Sequence, residues 1–137
     1  MACEVAFVRN GSGLLFIASG LLTRDDLIES KNRLLEFPAR IKQCMYCIVD
    51  LFAVSSMELS ASDVEDIARH DKRVAAVIRP GAIVAIMAPK EPDYALGRMW
   101  ETLAESTGWE TMVFRSREEG EAWLRARVKE KFGFDSI

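Results

Sequence analysis

Cys44 and Cys47, three apart, are the first residues in this chain whose types and spacing could do chemistry. A C-x-x-C pair can carry redox exchange or supply half of a zinc site. Redox pairs work from a helix N-terminus, where the dipole lowers the thiol pKa, whereas this pair leads into an apolar strand. Zinc asks for two further ligands, and His70 is the one histidine available. Both thiols are therefore expected reduced and metal-free, small apolar side chains beside a sheet. Three cysteines, Cys3 included, make no disulfide framework, which fits a cytoplasmic chain.

A second set of candidates surrounds the apolar run at 46–52. Asp50 stands near its carboxyl end, and a loop over 54–62 carries Ser55, Ser56, Glu58, Ser60 and Ser62. Ligands of open α/β sheets bind beyond the carboxyl ends of the strands, so function is expected here. Asp50 is either a working carboxylate or an acceptor for the backbone of the following turn. The serines are either loop and cap residues or phosphorylation targets, since added charge is favourable at a helix N-terminus. Lys90, Tyr94 and Arg98 form the best small anion site, with Tyr94 and Arg98 four apart on one helix face. Met87, Met99, Met112, Trp100 and Trp123 line either an apolar ligand cavity or an ordinary core. His70, between Arg69 and Asp71, reads as a solvated residue on an outer helix face. A nucleophile, a base and an orienting group are not found together, so no enzyme, cofactor or metal is expected.

Composition narrows the partners. The 137 residues suit one domain spanning residues 1–137, and 50% hydrophobic with 28% charged residues is ordinary for a folded chain. The net charge is −3, with basic residues spread among acidic ones, which argues against nucleic acid. No apolar run is long enough to span a bilayer, and the N-terminus lacks a secretory pattern. A homodimer is expected because Tyr94, Trp100 and several methionines sit on outer helices.

The elements follow from local signals. Residues 4–8 and 14–19 read as strands joined by a hairpin at Asn10-Gly11-Ser12-Gly13. Thr23 and Asp26 form a capping box for a helix that Pro38 ends, with 39–43 a short connection or kinked last turn. Residues 46–52 form a strand apolar on both faces except at Asp50. Ser60 or Ser62 caps the next helix, the latter paired with Glu65, and Arg79-Pro80-Gly81 stops it. Residues 82–88 make a buried strand, Pro92-Asp93 opens a helix that Gly108 closes, and 111–115 is the last strand. Ser116 and Glu119 start a final helix that runs to Gly133. The order, a hairpin followed by β-α repeats, predicts an α/β fold with a mixed sheet of about five strands and right-handed crossovers. No glycine-rich phosphate loop follows any strand.

The runs VDLFAVSSMELSASDVEDIA, GAIVAIMAP and ALGRMWETLAESTGWETMVFRSREEGEAWL resemble the SpoIIAA-like group of STAS/SEC14-type bacterial domains, over residues 14–124. That resemblance implies a β-α superhelical sheet and a non-catalytic regulatory or ligand-holding module. Its partner would be a protein or a small ligand; the alternative is a carrier of a hydrophobic ligand or lipid. In anti-sigma factor antagonists the loop after this strand carries an acidic residue and then a phosphorylatable serine. Here Glu58 takes the acidic position, but Leu59 takes the serine's, and Ser60 stands one residue late.

Overall fold

The computed structural model describes residues 2–136. Five strands, β1 (Cys3–Val8), β2 (Gly13–Thr23), β3 (Tyr46–Glu58), β4 (Ile83–Met87) and β5 (Glu110–Phe114), form one sheet in sequential order. β1 runs antiparallel to β2, and every later pair is parallel. The mixed five-stranded α/β sheet expected from the sequence is therefore present. Its hairpin turns through Arg9, Asn10 and Gly11, all at positive φ, the conformation that Asn and Gly tolerate at least cost.

Helices α1 (Arg24–Leu35), α3 (Ala61–Ala75) and α4 (Glu91–Leu103) connect the parallel strands, and the four-residue α2 (Pro38–Ile41) fills the connection after α1. Right-handed crossovers taken in one direction across neighbouring strands place all their helices on one face, and α1, α3 and α4 do pack side by side. Leu14, Phe16, Val84 and Ile86 point into that layer. The last helix, α5 (Arg117–Phe132), turns back over the opposite face, where Tyr46, Ile48, Ile83, Ala85 and Met87 meet Leu124 and Val128. Alternation along β4 thus feeds two cores, as a strand covered on both sides requires.

Local capping explains where the helices begin. Thr23 and Asp26 make the reciprocal box. At α5, Ser116 Oγ accepts from Glu119 N at 3.3 Å, while Gly108 and Gly133 adopt the left-handed C-cap conformation. One choice left open by the sequence and one correction fall on the region expected to be functional. The cap of α3 is Ser60, boxed with Asp63, rather than Ser62 with Glu65. The loop expected over 54–62 is mostly strand: β3 continues to Glu58, and β2 continues past Ser19 to Thr23 beside it. Register shifts between Ile17 and Ser19 and between Gly20 and Leu21 make this possible, with Gly20 at φ +66°. Glycine supplies that bulge, so a residue type that usually ends a strand instead bends one onward.

Candidate functional site

The continuation of β2 and β3 projects beyond the carboxyl end of β4, and the sequence-predicted residues gather around it. Asp50 Oδ1 accepts from Phe52 N at 3.0 Å, and its other oxygen pairs with Arg117 at 2.9 Å. The carboxylate therefore ties β3 to the start of α5. The Arg117 guanidinium also lies over the Phe52 ring, 4.4 Å from its centroid. Lys90, at the N-cap of α4, donates to the carbonyls of Val54 and Ser55 at 2.7 and 3.2 Å. Its ammonium meets backbone acceptors that a further neighbouring strand would otherwise satisfy.

Ser55, Ser56 and Glu58 are exposed strand residues. Ser60 Oγ accepts from Asp63 N at 3.1 Å, and Leu59 lines an interior cavity. Tyr94 and Arg98 do meet, Arg98 donating to the Tyr94 hydroxyl at 3.3 Å. Arg115 then covers the Tyr94 ring at 4.2 Å and pairs with Glu91 at 2.8 Å. Lys90 turns toward β3 and does not join Tyr94 and Arg98 in an anion site.

Between them stands Asp93, which sequence reasoning took only as a helix opener. It is 3% exposed, Oδ2 has no hydrogen-bond partner, and burial raises its pKa against the opposing pull of Lys90. Lys90, Asp93 and Tyr94 share one helix start, but nothing in the local pattern signals which of them turns inward. Arg117 and Phe52 were also missed, because their stacking joins segments 65 residues apart in sequence.

A second feature lies inside the fold. A cavity of about 130 Å³ lies between the sheet and α1, α3 and α4, lined by Phe16, Leu34, Val49, Ile67, Trp100 and Trp109 among others. Of the five side chains expected to line such a space, Trp100 does so, and Met87, Met99, Met112 and Trp123 do not. Two charged residues reach its wall. Lys31 Nζ stands 2.7 Å from Asp71 Oδ1, and Trp100 Nε1 donates to Asp71 Oδ2 at 2.8 Å. Trp100 is thereby drawn inward and is not the exposed outer-helix residue expected. The Trp109 indole N–H is buried with no acceptor.

Cys44 and Cys47 are free thiols near this cavity. Burial is the main cause pushing both up, Cys44 to about 11. Thiols so raised are poor nucleophiles at neutral pH. His70 also departs from expectation: it is half-buried, its Nε2 2.7 Å from Asn32 Oδ1. Among the described residues, no three His, Cys, Asp or Glu side chains come together as a metal site. No described helix is long and apolar enough to cross a membrane.

This architecture is that of the SpoIIAA-like fold. An uncharacterized protein of Shewanella loihica with a SpoIIAA-like fold is similar to the chain over 90% of its length and 92% of that protein, with 22% identity and a TM-score of 0.53. The unphosphorylated form of the anti-sigma factor antagonist SpoIIAA is similar over 92% of this chain and 96% of its own, with 17% identity and a TM-score of 0.52. No family model and no curated protein matches the chain.

Proposed function

We propose that the chain is a non-catalytic interaction module that receives a protein partner on the projecting ribbon of β2 and β3. The observation that carries this reading is apolar exposure: Ile17, Leu21 and Phe52 are solvent-exposed on the face away from α1 and α3. α5 covers β4, β5 and the start of β3 on this face and, apart from Arg117 over the Phe52 ring, leaves the far end of β2 and β3 exposed. Isolated exposed apolar residues need no explanation, but three at one end of one sheet face make a contact patch. Ser55, Ser56 and Glu58 supply a polar rim beside it, the arrangement of an interface core with a wettable border. Likeness in fold to an anti-sigma factor antagonist supports a regulatory role. With Leu59 turned into the cavity and Ser60 engaged as a cap, the reading includes no phosphoryl switch at either position.

The test is a paired capture from a cell extract with wild type and the Leu21→Ser/Phe52→Ser variant, with the unfolding midpoint of each measured alongside. A partner retained by wild type and lost by an equally stable variant supports the reading. Equal retention by both proteins sinks it. Light scattering on the purified chain tells a foreign partner from a second copy seated on the same patch.

The cavity favours a second reading, a carrier of a small apolar ligand. An engineered apolar void of about 150 Å³ stays dry and admits benzene, so about 130 Å³ holds a body of that size and not a whole lipid. Native mass spectrometry of gently purified protein would show such a ligand as a discrete added mass.

A further inference from the structure

On the outer side of the helix layer, a polar groove of about 300 Å³ runs between α1 and α3. Arg24 and Asn32 line it from α1, eight residues apart; Asp66, Arg69, His70 and Arg73 line it from α3, on one face by their three- and four-residue spacing. Asp66 sits between two guanidiniums, Oδ2 3.2 Å from Arg24 Nε and Oδ1 2.7 Å from Arg69. Arg69 donates one N–H to it, whereas the Arg24 Nε contact is an ion pair without hydrogen-bond geometry, so each guanidinium keeps most of its five N–H groups. Arg73 forms no hydrogen bond or ion pair with the described residues. The remaining polar group is the imidazole: His70 Nε2 donates to Asn32 Oδ1, while Nδ1, an acceptor as long as the ring is neutral, is buried with no partner.

We propose that this groove binds a small dianion of the phosphate monoester class, held by Arg24, Arg69 and Arg73 with His70 Nδ1 as a further donor. Three guanidiniums face Asp66 in the groove and Asp25 on its rim, which pairs with Arg24 at 3.3 Å. The local balance is positive in a chain whose net charge is −3. A carboxylate already lies between two of the cations, so a monoanion gains little, whereas a tetrahedral dianion can take fork-like N–H pairs from more than one arginine. The imidazole provides a distinct signature. Burial, Lys31 of α1 and Arg73 of α3 hold its pKa down, and Asp71 of α3 opposes them. An arriving dianion reverses that balance and favours the protonated ring, in which Nδ1 becomes a donor. The groove lies on the helix layer, away from Leu21 and Phe52, so the proposal does not depend on the partner reading.

The experiment is an NMR titration of the whole chain with inorganic phosphate, glycerol phosphate and acetate, following the backbone amides of α1 and α3 and the His70 ring. The expected result is saturable binding of both phosphates, at least tenfold tighter than acetate, with the His70 pKa rising on saturation. Arg73→Gln should weaken phosphate binding about tenfold with an unchanged unfolding midpoint, and His70→Gln should remove the ring signature and weaken binding less. Phosphate binding that equals acetate, or that survives Arg73→Gln unchanged, overturns the proposal. So does binding with no change at the His70 ring. Vesicles carrying phosphatidate provide the comparison of source: binding to vesicles but to neither soluble phosphate also overturns it, by placing the headgroup's recognition in the membrane and not in the groove.

Discussion

Lys31 of α1 holds both oxygens of the Asp71 carboxylate of α3, at 2.7 Å from Oδ1 and 2.9 Å from Oδ2, beneath the helix layer. Asp71 is 1% exposed, and the Trp100 indole N–H completes its shell from α4. One carboxylate thus pins three helices. A buried pair contributes little net stability over an apolar replacement, but removing one partner strands the other charge. Asp71→Ala should therefore cost about 3–5 kcal/mol in urea unfolding. Lys31→Met combined with Asp71→Leu should recover most of that loss, and a double variant as unstable as the single one would show that the carboxylate acts through Trp100 instead.

How much of this was legible from the sequence depends on distance along the chain. The Thr23–Asp26 box, the hairpin turn at Asn10 and Gly11 and the stop at Gly108 are signals confined to a few residues, and they read correctly, whereas Gly13, read as part of the turn, is the first residue of β2. Asp71 and Trp100 lie 29 residues apart and Lys31 and Asp71 lie 40 apart. No periodicity distinguishes a buried aspartate from its solvated neighbours until both partners are placed. Ser55 and Ser56 were misplaced for a related reason. Their residue types favour loops, but pairing with Leu21 and its neighbours, permitted by the Gly20 bulge, makes them strand. Tertiary pairing overrides propensity there.

Asp93 gives a pH-dependent expectation. Its folded-state pKa is raised, by burial first. The group then adds no penalty below the ordinary aspartate pKa, and stability is lost as pH rises through the folded value. At neutral pH, Asp93→Asn should stabilise the chain by about 1 kcal/mol, the scale of a buried polar group left unpaired. The advantage should vanish below about pH 4, the ordinary range of the group. Thermal unfolding of both proteins across pH 3–8 checks it, and a destabilised asparagine variant would mean that the α4 dipole already satisfies the carboxylate.

The cap of α3 separates two nearby serines. Ser60 Oγ accepts from Asp63 N, and the Asp63 carboxylate accepts from Ser60 N at 2.9 Å. Ser60→Ala should cost about 1 kcal/mol by leaving that first-turn amide unpaired. Ser62 is exposed within the first turn, so Ser62→Ala should change stability by less than about 0.5 kcal/mol. Equal losses at the two positions would move the cap.

Gly13 tests the other face of the sheet. A Cβ built there would stand within 2.6 Å of Tyr46 Cε2 and closer still to the end of the ring. The ring has little room to yield. Its hydroxyl donates to Ser136 O at 2.8 Å, and its face meets Phe134 at 6.2 Å between centroids. The β2–β3 pairing of Gly13 with Tyr46 sets the two backbones opposite each other, so the absence of a side chain at Gly13 is what lets the tyrosine lie across the strand and fasten the chain's carboxyl end. Gly13→Ala should cost about 3 kcal/mol, at the upper end of ordinary overpacking. Tyr46→Leu should cost stability by itself, through a void and the lost bond to Ser136. Combined with Gly13→Ala it should cost less than the sum, because the shorter side chain makes room for the new methyl. Urea unfolding of the four proteins closes a double-mutant cycle. A coupling near zero would mean that the added methyl is accommodated by a shift of β2 and not by the ring.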